Sequence, residues 1–402
     1  MPQIDFHVRL IILLSVFLIF FFNIYGLFSL VRKKLSEIFL NLIVAVGNIF
    51  IAALAVTFFL REFEYSRMVI IYSALFGFIL LMLWQYVMHK IEVKHLPIPT
   101  ICIIADKEEQ VRLTEKIRKT YGLEKSILNF SEPLEETIST QISTCDIVLV
   151  GESLKPDARD KTFRLANEQK KMVILVPTLY EIACSKMYLW RIDDLPTQRV
   201  SRMLLTLEQR FLKRALDLTV AAIALVLLAP VMLITAITVK LDSPGPIFYS
   251  QERVGLYGKT FKVYKFRSMR QDAEALTGPV LAGENDPRIT KFGRFMRATR
   301  LDELPQLINV IKGEMSIVGP RPERPFFVEK FIQEKPEYAY RHNVKPGITG
   351  LAQITGKYNT TAYDKLIYDL IYIQEVSVKT DLIIMLQTLK VLITKESTEG
   401  VK

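Results

Sequence analysis

Three apolar runs occupy the start of the chain, Leu10 to Val31, Ile38 to Leu60 and Met68 to Met88. Each is long enough to cross a ~30 Å hydrocarbon core as a helix. The fold class is therefore an α/β membrane protein, with N-terminal transmembrane helices over residues 1–96. The first run does not read as a signal peptide, because it is too long, contains Phe20-Phe21-Phe22 and lacks a small-residue cleavage pattern before Arg32. Arg32-Lys33-Lys34 marks a cytoplasmic turn, whereas the next loop mixes Arg61 and Arg67 with Glu62 and Glu64. Three spans then leave everything after His89 on the cytoplasmic side.

Residues 97–203 change to the composition of a soluble unit. Thr100 to Ile104, Asp146 to Val150 and Met172 to Val176 read as buried strands, and the charged stretch up to Tyr121 reads as a helix. This alternation argues for a parallel, degenerate Rossmann-like sheet. The turn after the first strand is Ala105-Asp106-Lys107-Glu108, with no GxGxxG, so a pyrophosphate would meet acid instead of glycine amides. Association or regulation is the role this leaves, and a homodimer is compatible with it. The net charge of +10 admits nucleic acid, anionic lipid or phosphorylated substrates, and the membrane segments favour the last two over nucleic acid. Cys102, Cys145 and Cys184 form no CxxC pair, and four histidines in 402 residues argue against a zinc site.

The remainder, 204–402, opens with a basic amphipathic stretch, Leu204 to Asp217, suited to an anionic membrane surface. The apolar run Leu218 to Val239 follows. Pro230 lies near its middle, and both flanks are basic, with Lys213 and Arg214 before and Lys240 and Arg253 after. A spanning helix would put one basic flank outside, so the sequence predicts a re-entrant membrane helix over 216–241, broken at the proline, carrying a cytoplasmic α+β domain. After the turn Asp242 to Pro246, Lys265 and Arg267 stand two apart on a strand, where they share a face and can grip a phosphate or discourage edge pairing.

Further on, Asp302-Glu303 follow Arg294, Arg297 and Arg300 and precede an apolar run at helical spacing, Leu304, Leu307, Ile308 and Ile311. One reading makes Asp302 an N-cap, with Glu303 complementing the helix dipole. The other makes this a phosphate-binding site in which one carboxylate attacks phosphorus while its neighbour helps to hold a divalent cation. Gly319-Pro320-Arg321-Pro322 is a rigid turn holding Arg321, and Lys345-Pro346-Gly347 is a second loop with a cation at its tip. Arg341 is a phosphate candidate, and His342 reads as a structural hydrogen bonder.

The segments DSPGPIFYSQERVG, FKVYKFRSM, RITKFGRFMRATRLDELPQLINVIKGEMSIVGPRPE and VKPGITGLAQITG closely resemble the bacterial polyprenyl-phosphate glycosyl-1-phosphate transferases of the monotopic type, from about Leu207 onward. Large members of that family usually carry four N-terminal spans, one more than here, and often have Ser where this chain has Ala229. The resemblance implies that Asp302 attacks the β-phosphorus of a UDP-sugar, releasing UMP, and that undecaprenyl phosphate then displaces Asp302. It also implies Mg²⁺, or Mn²⁺ in its place, on Asp302 and Glu303, with Arg297 on the polyprenyl phosphate. Lys265, Arg267, Arg321, Lys345 and Arg341 become candidates for phosphate or substrate binding. The implied location is the bacterial cytoplasmic (inner) membrane, with membrane lipids around the helices and the catalytic domain on the cytoplasmic face. The competing class is a membrane-anchored scaffold or regulator that binds nucleotide sugar without turnover.

Overall fold

The computed structural model describes residues 2–28, 35–59, 67–95, 99–121, 127–130, 135–193, 195–200, 203–270, 286–356 and 360–393. The chain forms two compact units, Met1–Thr178 and Leu179–Lys402. In the first, α1 (Pro2–Ile24), α2 (Leu35–Phe59) and α3 (Arg67–His95) are apolar helices. Among the described residues, α2 and α3 are long and apolar enough to cross a bilayer, and the apolar part of α1 is the shorter Ile11–Ile24. Amides within apolar helices need partners. Asn41 Nδ2 donates to Tyr25 O (3.0 Å), Asn48 Nδ2 to Tyr25 Oη (2.7 Å) and Gln85 Nε2 to Leu27 O (3.1 Å), which ties the turn after α1 to both other helices. The Arg32-Lys33-Lys34 turn and the loop from Arg61 to Ser66, which carry the charge argument for orientation, lie outside the described residues.

The α/β part runs β1 (Ile101–Ile104), α4 (Lys107–Tyr121), β2 (Ile127–Phe130), α5 (Glu135–Ser143), β3 (Ile147–Val150), α6 (Pro156–Glu168) and β4 (Met172–Leu175). Its four strands are all parallel, in the order β2-β1-β3-β4, with Ile101 opposite both Ile127 and Ile147. The strand order reverses between β1 and β3, where parallel sheets open a ligand crevice at their C-terminal ends. Here a side chain of the protein fills that place. The buried Glu109 carboxylate accepts hydrogen bonds from the backbone N–H groups of Glu152 (3.0 Å) and Ser153 (2.9 Å), and Arg112 bridges Glu109 to Glu152. Glu109→Ala leaves both amides without that acceptor, so their hydrogen exchange is expected to accelerate and this unit to lose about 1–3 kcal/mol. Unchanged protection at Glu152 and Ser153 would count against this role for the carboxylate.

The second unit begins with α7 (Leu179–Cys184) and the antiparallel hairpin β5 (Met187–Ile192) and β6 (Leu195–Val200). Then comes α8 (Leu207–Asp242), opened by a Thr206–Gln209 capping box. It runs as one helix with Pro230 inside, which corrects the helix-break-helix expected from the proline. A second antiparallel hairpin follows, β7 (Phe248–Val254) with β8 (Thr260–Phe266), and then α9 (Lys291–Thr299), α10 (Gln306–Lys312) and β9 (Ser316–Val318). After α11 (Pro325–Glu334), β10 (Gly347–Thr349) pairs in parallel with β9, and α12 (Leu351–Thr355), α13 (Ala362–Glu375) and α14 (Val378–Ile393) complete the unit. The core joins Ala221 of α8, Val263 of β8, Val310 of α10, Val318 of β9 and Leu370 of α13.

Both ends of α8 are anchored in this one unit. Near its start, Arg214 donates to the carbonyls of Val310 (2.6 Å) and Ile311 (2.8 Å), satisfying the last turn of α10. Lys213 forms a buried ion pair with Asp381 (2.6 Å), and Asp217 accepts from Ser316 Oγ and Ile317 N, both at 2.9 Å. These two cations therefore bind protein groups, whereas the sequence had directed them to lipid headgroups. Towards the other end, Val239 packs with Phe266 of β8 and Met296 of α9. Between the anchors one face of α8 packs on the unit through Ala224, Leu225, Met232 and Ala236, and the other is open, with Val226 75% and Leu227 70% exposed.

Candidate active site

The acidic pair lies on a 3-10 turn, Leu301–Glu303, between α9 and α10. Arg300 ends α9 in the left-handed conformation (φ 57°), an uncommon state for a residue with a side chain and a feature of constrained functional turns. Asp302 and Glu303 are both buried. The cap of α10 is Pro305, with no side-chain hydrogen bond, so Asp302 does not act as an N-cap. Its carboxylate makes no hydrogen bond or ion pair among the described residues.

Glu303 is the opposite case. Its Oε1 meets Lys265 Nζ and Arg321 Nη2, each at 2.8 Å, and its Oε2 lies 4.0 Å from Arg300 Nη1. Burial pushes the Glu303 carboxyl up, but Arg321 and Lys265 outweigh it and hold the group well below the usual range. Burial also raises Asp302, and there it prevails over Lys265 and the other cations. Adjacent carboxylates with pKa values driven apart are suited to different tasks.

Long-range contacts place the cations. Lys265 comes from β8, which Asn309 of α10 clamps by accepting from Tyr264 N (3.1 Å) and donating to Lys262 O (2.8 Å). Arg321 comes from the loop after β9. That loop lies so close to β10 that a Cβ on Gly347 would sit 2.1 Å from Gly319 N, and it is pinned by Gly319 N to Thr349 O (2.8 Å) and Gly347 N to Pro320 O (2.9 Å). Arg297 is set by backbone contact one turn earlier: a Cβ on Gly293 would sit 2.0 Å from Ser268 O. Arg297 Nε then donates to Ser268 Oγ at 2.9 Å. Ser268 and Asn309 were not marked by residue type or spacing, since their partners are remote in sequence.

Three sequence candidates are placed elsewhere. Arg267 is buried and donates to the carbonyls of Pro244 (2.6 Å) and Ser243 (2.7 Å), capping the exit of α8, so it does not share a ligand with Lys265. Lys345 Nζ sits over Gly313 beside Arg214, at the end of α10 away from the acidic pair; burial, then Arg214, lowers its pKa. Arg341 is buried against Asp369 (2.8 Å) and the Tyr338 hydroxyl, and its Nη2 donates to the carbonyl of Arg321 (3.0 Å). It supports Arg321 from behind. Burial, then Arg341, lowers His342 to about 4, and its ring meets Tyr338 edge-on, consistent with a neutral structural residue. Among the described residues no three His, Cys, Asp or Glu side chains converge as a metal site.

A family model described as bacterial sugar transferase matches residues 208–395. The UDP-N-acetylgalactosamine-undecaprenyl-phosphate N-acetylgalactosaminephosphotransferase of Aeromonas hydrophila is 42% identical over 207 residues, 51% of this chain and 49% of that protein. The UDP-glucose:undecaprenyl-phosphate glucose-1-phosphate transferase of Escherichia coli (strain K12) is 43% identical over 223 residues, 54% of this chain and 47% of that protein. The chain thus spans about half the length of these two relatives. The exopolysaccharide production protein PSS of Rhizobium leguminosarum bv. phaseoli is 42% identical over 200 residues, 47% of this chain and 96% of that protein. With the match running from the start of α8 into α14 and nearly all of a 42%-identical relative covered, the chain belongs to the bacterial sugar transferase family.

Proposed function

We propose that this chain transfers a sugar 1-phosphate from a UDP-sugar to undecaprenyl phosphate. The observation that carries the reading is the contrast within the acidic pair: Glu303 is bonded by two cations, and the buried Asp302 carboxylate beside it has no partner among the described residues. A desolvated, unpaired carboxylate in a cationic pocket is a competent nucleophile towards a diphosphate. An Asp302 oxygen forms a bond to the β-phosphorus, and the bond from that phosphorus to the oxygen bridging to the α-phosphate breaks, releasing UMP. An oxygen of the lipid phosphate then bonds to the same phosphorus, displacing Asp302 and restoring its carboxylate.

The names of the relatives support the donor and acceptor classes. Lys265, Arg300 and Arg321 supply positive charge to the donor diphosphate, and Arg297 to the lipid phosphate. Asp302 would hold a small divalent cation together with substrate phosphates, with Glu303 contributing Oε2, the oxygen that neither Lys265 nor Arg321 bonds, and Mg²⁺ would there neutralise the diphosphate. A cytoplasmic-membrane setting follows from the same scheme. Both ends of α8 pack on the catalytic unit while Val226 and Leu227 in its apolar middle are exposed, which supports a helix seated in the membrane beside the catalytic site. A water-soluble donor and a membrane-bound acceptor then meet at one interface.

Incubating the solubilised protein with Mg²⁺ and a panel of UDP-sugars, without lipid, is expected to add the mass of one sugar phosphate and release an equivalent of UMP. Release of UDP instead would mean glycosyl transfer. No adduct, and no UMP after undecaprenyl phosphate is added, would favour a binding protein without turnover.

A further inference from the structure

A cavity of about 220 Å³ in the catalytic unit reaches Glu303 and Arg300, yet the mechanism above assigns it nothing. Its walls are Ala224 and Leu228 of α8, Leu304 at the acidic turn, Ile348 of β10, Ile354 of α12 and Val391 of α14. The polar groups in the lining are mostly turned onto the protein. Thr349 and Thr388 share a hydroxyl hydrogen bond (2.7 Å), and Gln353 Nε2 donates to Ile348 O (2.9 Å), leaving Gln353 Oε1 as a buried acceptor without a partner among the described residues. Apart from Arg300 and Glu303 at one end, this single acceptor is too little to recognise a hexose through its hydroxyls. The occupant has to be mainly hydrocarbon.

We infer that this cavity receives the first isoprene unit of the acceptor lipid and thereby sets the lipid phosphate against the acidic turn; this rests on the transfer reaction proposed above. Three observations converge on that occupant. At about 30 Å³ per water-sized group, the volume admits ~7 heavy atoms, an isoprene unit with its ester oxygen. The cationic end, at Arg300, lies two residues from Asp302, where a lipid phosphate must arrive. The opposite wall belongs to α8, where Ala224 and Leu228 lie one turn apart and the neighbouring Val226 and Leu227 are exposed. α8 therefore lends one face to the cavity and leaves Val226 and Leu227 of the same apolar run exposed beside it, where a lipid chain can approach. The segment GITGLAQITG, prominent in the sequence, provides Ile348, Gln353 and Ile354.

The test uses the full chain in nanodiscs. Ala224→Phe and, separately, Ile354→Trp fill the cavity, and each is compared with wild type in the UMP burst from donor alone and in the KM for undecaprenyl phosphate. The expected result is an intact burst with acceptor KM raised at least tenfold in both variants. An unchanged acceptor KM with an intact burst overturns the inference, as does a burst that falls in step with transfer, which would assign the cavity to the donor. A wild type without any burst overturns the transfer reaction itself, and the inference with it. Labelling provides a readout independent of turnover. Undecaprenyl phosphate carrying a diazirine on its first isoprene unit is expected to crosslink to peptides containing Ile354 or Val391. Equal labelling by a diazirine-bearing phosphatidylglycerol would make the cavity a general acyl-chain site and overturn the assignment.

Discussion

Asp302→Asn is expected to abolish the phosphosugar adduct, lower turnover by about 10⁴-fold or more, and yet make the protein more heat-stable. The loss of turnover follows from removing the attacking oxygen's charge. The gain in stability follows from the direction in which Asp302 is shifted. Burial raises its pKa, with Lys265 opposing and Glu303 adding repulsion, so the ionised form is better solvated in the unfolded chain. A carboxyl raised on folding contributes stability below its unfolded pKa of about 3.9 and loses that contribution as pH rises through the folded value. At neutral pH the wild type therefore carries a penalty that asparagine lacks. In a thermal scan the variant should melt above the wild type, with the gap closing as pH falls towards 4. The donor step in the wild type should rise with pH as Asp302 ionises, then level off. A variant that melts lower and still forms the adduct would remove both the nucleophile and the desolvation argument.

The same acidic pair shows how far residue order alone can be read. Asp302 and Glu303 follow Arg297 and Arg300 in one continuous motif, so local spacing was enough to place them at a charged turn, whereas Arg321 reaches them from the loop after β9. The parallel strands were legible for a similar reason, since runs such as Ile101 to Ile104 are buried on both faces, but the run from Met172, expected to be buried, forms the edge strand with Met172, Ile174 and Leu175 exposed. Arg267, Lys345 and Arg341 are different. Each is a cation near a motif, and whether it faces phosphate, a carbonyl or a carboxylate depends on contacts that sequence spacing does not contain. Arg267 caps the exit of α8, and Arg341 meets Asp369 of α13. Lys213 and Arg214 looked like an interfacial cluster because their partners, Asp381 and the end of α10, lie far along the chain. Pro230 signals a lost hydrogen bond, but whether the helix continues through it is decided by packing at both ends.

Asp369→Asn is expected to weaken the donor site with little loss of stability, although Asp369 touches no substrate group. Arg341 is buried, with the Asp369 carboxylate 2.8 Å away, so neutralising Asp369 removes the guanidinium's counterion. Arg341 also donates to the carbonyl of Arg321, so the same change loosens the residue that neutralises Glu303. A double variant separates the two effects. Arg341→Met with Asp369→Leu removes both charges and keeps the volume, which should leave stability near the wild-type value. Donor KM should stay raised by about 10–100-fold, because the Arg321 carbonyl has still lost its donor. The pH dependence adds a signature that a purely structural pair lacks. Burial raises Asp369 from 3.8 to about 6 despite Arg341, so its contribution to stability is present below pH 3.8 and lost as pH rises through about 6. The ion pair itself exists only above that value. Donor KM in the wild type should therefore climb as pH falls through about 6, as Arg341 loses its counterion, and the double variant should show no such step. If the double variant keeps the wild-type donor KM, the pair serves packing alone, and Arg321 is positioned by the close approach of Gly319 to Gly347.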